Sequence, residues 1–412
     1  MRTRVVVAAA LAGVLVAPVG AQAAGKRPSL DTSFNVTGVV IEDFGPGDTV
    51  VDMAVQADGK IVAVGPGDGN FNVLRRLADG SGDESFGSSW GGRVTTDVEP
   101  STYGETPRSL ALLPDGRIAV GGEVSRDGHS VGVVVFYAAD GSVQSIIYPD
   151  LGPRVASSRV VAMSARPGGK LLLALHAATG DGSDPPVLAR LLADGTLDAT
   201  FGVGGVARAD IGGRDFDQPS GMAVAPDGRI LVGGTTGWWS TLPEPTSDVT
   251  LARFTANGAL DTSFGTGGRV NRDITGPDAI DGGGVPSVTA DGRILVTVWT
   301  QQGDTRRTGL LRYLPNGRPD RSFDRDGLTM TSFESLNSPV TGPGGRITVT
   351  GRSGGDLLLA EFGADGRLLW TKPTDVNGGL EDGHVLLARP GGKLLVGGQA
   401  EGESFAIFRF NR

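Results

Sequence analysis

The amino-acid sequence predicts an all-β protein, and three observations lead to that fold class. Glycine supplies 67 of the 412 residues, about twice its usual share, and each glycine inside a helix costs about 1 kcal/mol. A tight turn followed by Lys or Arg and an aliphatic run occurs seven times, about 55 residues apart. A second turn follows the first one in six of these repeats. Four short strands per repeat are typical of a propeller blade, so we predict a seven-bladed β-propeller of four-stranded antiparallel blades.

The first turn of each repeat is an Asp-Gly or Gly-Gly dipeptide between apolar runs. Such dipeptides favour two-residue hairpins in which both central residues have positive φ. The seven copies are Asp58-Gly59-Lys60, Asp115-Gly116-Arg117, Gly168-Gly169-Lys170, Asp227-Gly228-Arg229, Asp291-Gly292-Arg293, Gly344-Gly345-Arg346 and Gly391-Gly392-Lys393.

An Arg before the second turn is matched by an Asp after it. The copies are Arg75 with Asp83, Arg190 with Asp198, Arg253 with Asp261 and Arg312 with Asp320. Because the two positions flank a hairpin, we expect exposed cross-strand ion pairs worth roughly 0.2–1 kcal/mol each.

The seventh repeat has the Arg of this pair, Arg409, but the chain ends before the Asp strand. The missing segment stands at the other end of the chain, where residues 30–34 read LDTSF, as do residues 260–264. We therefore predict that residues 28–44 form the outer strand of the last blade and place Asp31 near Arg409. Such pairing would close the ring and leave no open sheet edge.

Residues 1–23 have the three parts of a secretory signal peptide. Arg2 and Arg4 precede an apolar run from Val5 to Val19, and Ala21-Gln22-Ala23 offers a cleavage site. We expect a secreted, extracellular protein whose residues 24–412 form a single propeller domain. No later stretch approaches 18 consecutive apolar residues, so no membrane insertion is expected.

Composition excludes several classes of function. The formal charge of −9 disfavours nucleic acid as a partner. Cysteine is absent, which excludes disulfides, thiolate metal ligands and cysteine nucleophiles. We expect a monomer without a cofactor.

The segment Leu251–Gly265, LARFTANGALDTSFG, resembles the hallmark of the delta-60 repeat family of secreted or surface bacterial β-propellers. The resemblance covers essentially the whole mature chain and weakens around Phe136 and Phe362. It implies a propeller fold, and it implies no activity, catalytic residue or ligand, because the family has none established.

Motifs for catalysis or metal binding are weak. Gly351–Gly355 matches the hydrolase motif G-x-S-x-G, but that motif works between a strand and a helix, whereas here it joins two strands. The segments 79–84 and 324–327 resemble calcium loops without the Glu at the twelfth position. We name no catalytic residue and no metal ligand.

Polar residues recur at one repeat position, eight residues before the turn glycine, at the start of the innermost strand. These candidates for the channel mouth are Arg108, Ser220, Asn337 and His384. A solvated polar channel mouth would explain them without any function.

Sequence variation is confined to one predicted face, because the repeated turns all lie on the other. Functional loops usually stand on a rigid scaffold in this way. The candidate ligand-binding residues are Tyr103, Arg126, His129, Trp238, Trp239, Trp299, Arg306 and Arg307. Trp and Arg are typical of binding hot spots and sugar-stacking surfaces, although Trp238 and Trp239 could equally pack down to order their loop.

The sequence thus favours a secreted, non-enzymatic binding module for a glycan or a protein. One alternative is a hydrolase or lyase at the channel mouth that uses His384, Arg108 and loop carboxylates. Another is a purely structural surface protein.

Overall fold

The computed structural model describes residues 27–88, 91–100, 104–179, 186–208, 216–238, 246–276, 279–376, 378–402 and 404–412, without the side chains of residues 216, 217 and 238. The predicted signal peptide lies outside these residues. Their regular structure is β-strand apart from three 3-10 turns, at Pro167–Gly169, Pro343–Gly345 and Pro390–Gly392. Within these ranges, no helix has the length and apolar character needed to cross a membrane.

Most strands belong to four-stranded antiparallel arrays in which neighbours follow chain order. Two short strands come first, β1 (Ser29–Leu30) and β2 (Val39–Glu42). Array 1 contains β3 (Asp52–Val55), β4 (Ile61–Gly65), β5 (Phe71–Arg76) and β6 (Arg93–Thr96). Array 2 contains β7 (Thr106–Leu112), β8 (Ile118–Arg126), β9 (His129–Tyr137) and β10 (Val143–Ile147). Array 3 contains β11 (Val155–Arg166), β12 (Lys170–Thr179), β13 (Pro186–Leu191) and β14 (Val206–Arg208).

Arrays 4 and 5 form one sheet because a single parallel pair, Ser247 with Ile280, joins them. Array 4 contains β15 (Phe216–Val224), β16 (Ile230–Trp238), β17 (Thr246–Phe254) and β18 (Arg269–Arg272). Array 5 contains β19 (Ile280–Val288), β20 (Ile294–Gln302), β21 (Thr305–Tyr313) and β22 (Leu328–Thr331). Array 6 contains β23 (Ser335–Thr341), β24 (Ile347–Ser353), β25 (Asp356–Phe362) and β26 (Leu368–Thr374). Array 7 contains β27 (Asp382–Ala388), β28 (Lys393–Ala400) and β29 (Ser404–Asn411).

The N-terminal strands complete array 7. Both β1 and β2 pair antiparallel with β29, through Leu30 with Phe410 and Val40 with Ile407. This pairing sets Asp31 Oδ2 2.7 Å from Arg409 Nε, the contact that comparison of the repeats predicts. The outer position of the last array is therefore occupied by the beginning of the chain.

The hairpin ion pairs are buried, which corrects the expectation that they are exposed. Arg75 Nε lies 2.7 Å from Asp83 Oδ2, and each side chain is only 5% exposed. The Arg312 guanidinium lies over its own motif's Phe323 ring and also donates to the Ala364 carbonyl oxygen of array 6 at 2.7 Å. The pairs are buried because they lie between neighbouring arrays, so they join arrays as well as strands.

The Phe of each complete motif packs against the second-turn glycine of the following array. A Cβ added at Gly317, whose φ is +85°, would lie 2.9 Å from the Phe264 ring, so only glycine fits there. Phe34, from the N-terminal segment, contacts Gly80 of array 1 in the same way. Its apolar cluster also includes Phe405 of β29, so the first and last arrays are in contact.

The Asp-Gly turns differ from the predicted two-residue hairpins. Gly59 has φ +90°, but Asp58 does not have positive φ. The Gly59 amide donates to the Gln56 carbonyl and the Lys60 amide to the Asp58 carboxylate, at 2.9 and 3.1 Å. This is a three-residue loop with a bulged glycine, favoured because the Asp side chain accepts a local backbone amide. The Gly-Gly copies do have two positive φ values, as at Gly168 and Gly169.

Inner strands of neighbouring arrays are also joined by hydrogen bonds. Asp52 of β3 accepts from the Ser109 hydroxyl and the Leu110 amide of β7, at 3.0 and 2.8 Å. Ser109 Oγ in turn accepts from the Met163 amide of β11 at 3.1 Å. Burial raises the pKa of the Asp52 carboxyl to about 6, although the hydrogen bonds that it accepts oppose the rise.

The carboxyl of Asp52 and those of the hairpin ion pairs make the stability of the fold depend on pH in opposite directions. The raised pKa of Asp52 stabilises the fold fully below pH 4, and this contribution is lost as the pH rises through 6. Burial opposes ionisation of Asp83 and Asp320, but hydrogen bonds from Ser85 and Ser322 and neighbouring cations lower the pKa of each to about 2. Their contribution is present above pH 4 and is lost as the pH falls towards 2.

We therefore expect the mature protein to gain free energy of unfolding relative to an Asp52→Asn variant as the pH is lowered from 7 to about 5, and both proteins to lose it at acid pH, below about pH 4. Urea denaturation of the two proteins from pH 2 to pH 7 measures the difference, in which the titration of all other groups cancels. A difference that does not grow between pH 7 and pH 5 would contradict the assignment.

Candidate ligand-binding face

Chain reversal at each hairpin gives the arrays two different faces. The repeated turns lie on one of them, the turn face. The other, the variable-loop face, carries the hairpins between second and third strands, such as Asp127-Gly128 and Gly303-Asp304, and the connections between arrays. Three of the predicted ligand-binding residues cannot be placed in detail. Tyr103 and Trp239 lie outside the described residues, and Trp238 ends β16 without a described side chain.

Trp299 forms a half-buried aromatic surface on the variable-loop face. Its indole lies against the backbone of Gly282 in the inner strand β19, where an added Cβ would be 2.3 Å from the ring. Arg306 lies diagonally opposite on β21, with its guanidinium carbon 5.1 Å from the centre of the indole. Arg306 and Arg307 are both exposed. The structure thus brings Trp299 and Arg306 together, as the sequence predicts, and we call these two residues the indole site. Arg307 lies opposite Thr300 and, because successive side chains of a strand alternate, projects to the other side of the hairpin.

Arg126 has partners that sequence reasoning missed. Its Nη2 lies 2.7 Å from Glu99 Oε2, which also accepts the Tyr148 hydroxyl at 2.9 Å. The guanidinium stacks over the Tyr148 ring at 4.3 Å. His129 stands exposed opposite Arg126 in the same hairpin. Hydrogen bonds from Arg126 and Tyr148 lower the pKa of Glu99, so these groups already satisfy one another.

The four predicted channel-mouth residues all lie on inner strands. The antiparallel register breaks at Arg108, Ser220 and His384, which are therefore bulge residues, and Asn337 directly precedes the break in β23. A bulge re-aims one side chain out of the regular alternation. Because the bulges recur at the same position of several arrays, they are explained as part of the repeated scaffold.

His384 and Asn337 are held by groups of the next array or of the segment that leads into it. His384 Nδ1 lies 3.1 Å from Thr49 Oγ1 and 3.0 Å from the Val50 carbonyl oxygen. The Asn337 amide donates to the Gly383 carbonyl oxygen at 2.9 Å. The two residues thus connect consecutive inner strands.

A polar cluster lies between arrays 2 and 3, and the sequence points to only one of its members. Arg108 Nη2 is ion-paired with Glu123 Oε1 at 2.5 Å. His176, which is buried, lies opposite Arg159 in the β11–β12 register. Burial and the charge of Arg159 lower the pKa of His176 to about 4, against the opposing charge of Glu123. His176 is therefore neutral at physiological pH. The sequence offers no signal for His176 except that it is one of three histidines in the chain.

In the part of the chain that the structure describes, two groups of three carboxylates lie close enough to share a metal ion, and sequence reasoning found neither. In each group the ligand oxygens are within 4.8 Å of one another. The groups are Asp248, Asp273 and Asp281, and Asp356, Asp375 and Glu381.

Comparison with known proteins identifies the repeats. The family profile described as "Domain of unknown function (DUF5122) beta-propeller" matches residues 56–86, 169–201, 225–264 and 289–323. Four repeats of this chain therefore match a β-propeller family of unknown function, which confirms the resemblance stated from the sequence. The unmatched repeats include the second and sixth, which lack the motif's Asp and Phe. A comparison with curated protein sequences finds no match.

Solved structures share the fold at low sequence identity. Virginiamycin B lyase from Staphylococcus aureus is 11% identical with a TM-score of 0.52, over 91% of this chain and 99% of that one. A polysaccharide lyase, an ulvan lyase, is 10% identical with a TM-score of 0.56, over 90% and 95%. At such identities the likeness shows the fold alone.

Proposed function

We propose that this chain is a secreted, monomeric, seven-bladed β-propeller that binds a glycan on its variable-loop face without catalysis. The seven arrays would be the blades, and the N-terminal segment would close the ring. The ligand would carry acidic groups.

Contacts between consecutive arrays support a closed ring. Arg312 of array 5 donates to Ala364 of array 6, and Arg409 of array 7 donates in the same way to Ala78 of array 1. The Phe34 ring from the N-terminal segment packs on Gly80. The last and first arrays therefore meet through the contacts that join successive arrays elsewhere.

The indole site is the single observation that carries the proposed binding function. On the turn face the Arg groups of the repeated motif are occupied by buried ion pairs, as at Arg253 with Asp261. On the variable-loop face Arg306 is exposed and has no ion pair among the described residues. An indole beside a guanidinium group without an ion pair suits a sugar ring that stacks on the indole and offers a carboxylate or sulfate to the guanidinium.

Arg306 does not prevent such stacking. A cation–π contact at an exposed site is worth roughly 0.5–1 kcal/mol. A sugar can therefore displace the guanidinium from the indole at small cost, and Arg306 then becomes available to pair with the acidic group of the ligand.

The geometry supports the alternative of a hydrolase or lyase at the channel mouth less well. Its two named residues are already engaged, Arg108 with Glu123 at 2.5 Å and His384 with Thr49 and Val50. They also stand on different arrays, 2 and 7, where each has its own partners.

A thermal-shift screen of the mature protein with tryptophan fluorescence tests the proposed function. The panel would contain oligogalacturonates, sulfated oligosaccharides and neutral dextran oligosaccharides. A ligand at 100 times its dissociation constant adds about 2.7 kcal/mol to the free energy of unfolding. We expect acidic glycans to shift the midpoint and the fluorescence, and neutral ones to do neither. If no glycan of the panel changes the midpoint or the fluorescence, the glycan proposal is overturned in favour of a protein partner or a structural role.

A further inference from the structure

A buried carboxylate at the connection between arrays 6 and 7 differs from its counterparts elsewhere in the chain. Glu381 directly precedes β27 and is fully buried. It lies near the amides of Val376 and Glu401, but neither of its carboxylate oxygens makes a hydrogen bond of normal geometry. A buried carboxylate without partners is costly, so its retention needs an explanation.

Other connections between arrays use a carboxylate at the same place, and there the turn amides bind it. Asp48 accepts the Phe44 amide at 2.7 Å, and Glu105 accepts the Glu99 amide at 2.6 Å. Asp281 is fully satisfied by the Ile274 and Thr275 amides and the Thr275 hydroxyl, at 2.6, 3.1 and 2.7 Å. The ordinary role of this carboxylate is to cap the turn, whereas Glu381 approaches the Val376 amide without a hydrogen bond of normal geometry.

Two further carboxylates surround Glu381. Asp356 begins β25 and Asp375 directly follows β26, and the ligand oxygens of all three lie within 4.8 Å of one another. None of the three has an ion pair with Lys or Arg among the described residues. Burial, helped by the charges of Asp375 and Asp356, raises the pKa of Glu381, although the nearby Val376 and Glu401 amides oppose the rise. Three carboxylates gathered without a cation repel one another.

We propose that Asp356, Asp375 and Glu381 bind a divalent cation, Ca²⁺ by preference. Oxygens on one Ca²⁺ ion stand 2.3–2.6 Å from it, so two ligands are separated by at most about 5 Å, as these carboxylates are. Ca²⁺ takes six to eight oxygen ligands, so water or backbone carbonyls would complete the shell. The ion would stabilise the junction between arrays 6 and 7.

Calorimetric titration of CaCl₂ into EDTA-treated mature protein, with thermal unfolding in parallel, tests this site. We expect one ion per chain and a higher unfolding midpoint with Ca²⁺ than with EDTA. Glu381→Gln keeps the shape of the side chain and is expected to weaken Ca²⁺ binding at least 10-fold. In EDTA the same variant is expected to unfold no earlier than the parent protein, because a buried charge has been removed.

The second carboxylate group supplies the matched control. Asp273→Asn changes a residue equivalent to Asp375 in a group whose Asp281 is satisfied by turn hydrogen bonds, and it is expected to leave Ca²⁺ affinity unchanged. Absence of Ca²⁺ binding by the parent protein would overturn the proposal. So would a Ca²⁺ affinity that survives Glu381→Gln or is lost in Asp273→Asn.

Discussion

A chain that begins at residue 45 instead of residue 24 is expected to lose about 6 kcal/mol or more of folding free energy. The deletion removes β1, β2 and four large side chains that are at most 8% exposed, Phe34, Val39, Val40 and Phe44. Burying each such side chain stabilises a fold by about 1.5–3 kcal/mol. Since domains are stable by only about 5–15 kcal/mol, the shortened chain should be largely unfolded or should aggregate through the freed edge of β29.

Adding the missing segment as a separate peptide distinguishes the loss of its contacts from other effects of the deletion on folding. A peptide of residues 24–44 is expected to restore the denaturant midpoint of the shortened chain. The same peptide with Asp31→Ala should restore it poorly, because it leaves the buried Arg409 without its 2.7 Å ion pair. Urea denaturation at fixed peptide concentration measures both. A shortened chain that unfolds at the same urea concentration as the mature protein would show that the N-terminal segment does not hold the last array.

The second large effect is expected at the indole site. Trp299→Ala should weaken binding of oligogalacturonate about 30-fold, since central Trp residues of binding sites commonly supply 2 kcal/mol or more. Arg306→Ala should weaken it less and should reduce the dependence of affinity on salt. Fluorescence titration and calorimetry measure these affinities.

The chain offers a matched control for these changes. Arg318 is an exposed arginine of the same array on the opposite, turn face, and Arg318→Ala is expected to leave affinity unchanged. Trp299→Phe keeps an aromatic ring over Gly282 and should retain part of the affinity. Equal losses in Arg306→Ala and Arg318→Ala would mean that net charge, not the indole site, determines binding.

Local signals predicted the part of the fold that depends on them. The repeated turn glycines predict hairpins because few other residues tolerate the conformation, and the missing Asp of the last repeat led to Asp31 and its pairing with Arg409. The burial of the Arg–Asp pairs could not be predicted in the same way. It results from packing of neighbouring arrays, such as Arg312 against Ala364, which no spacing within one hairpin reveals.

The candidate site was predictable only where its residues are close in sequence. Trp299 and Arg306 share one hairpin, so a short segment contains both. Tyr148 reaches Arg126 from a different hairpin. Glu381 differs from Asp281 in hydrogen bonding, not in any motif that the sequence contains.

Hydrogen exchange of the mature protein with and without saturating oligogalacturonate tests the proposed binding face most directly. Protection is expected in the peptides that contain Trp299 and Arg306, because these groups would contact the sugar, and in the peptide that contains Gly282, because the indole lies against its backbone. Peptides of the turn face, such as residues 314–323, are expected to exchange at unchanged rates. Protection on the turn face, or none anywhere at saturating glycan, would contradict a glycan-binding role for the variable-loop face.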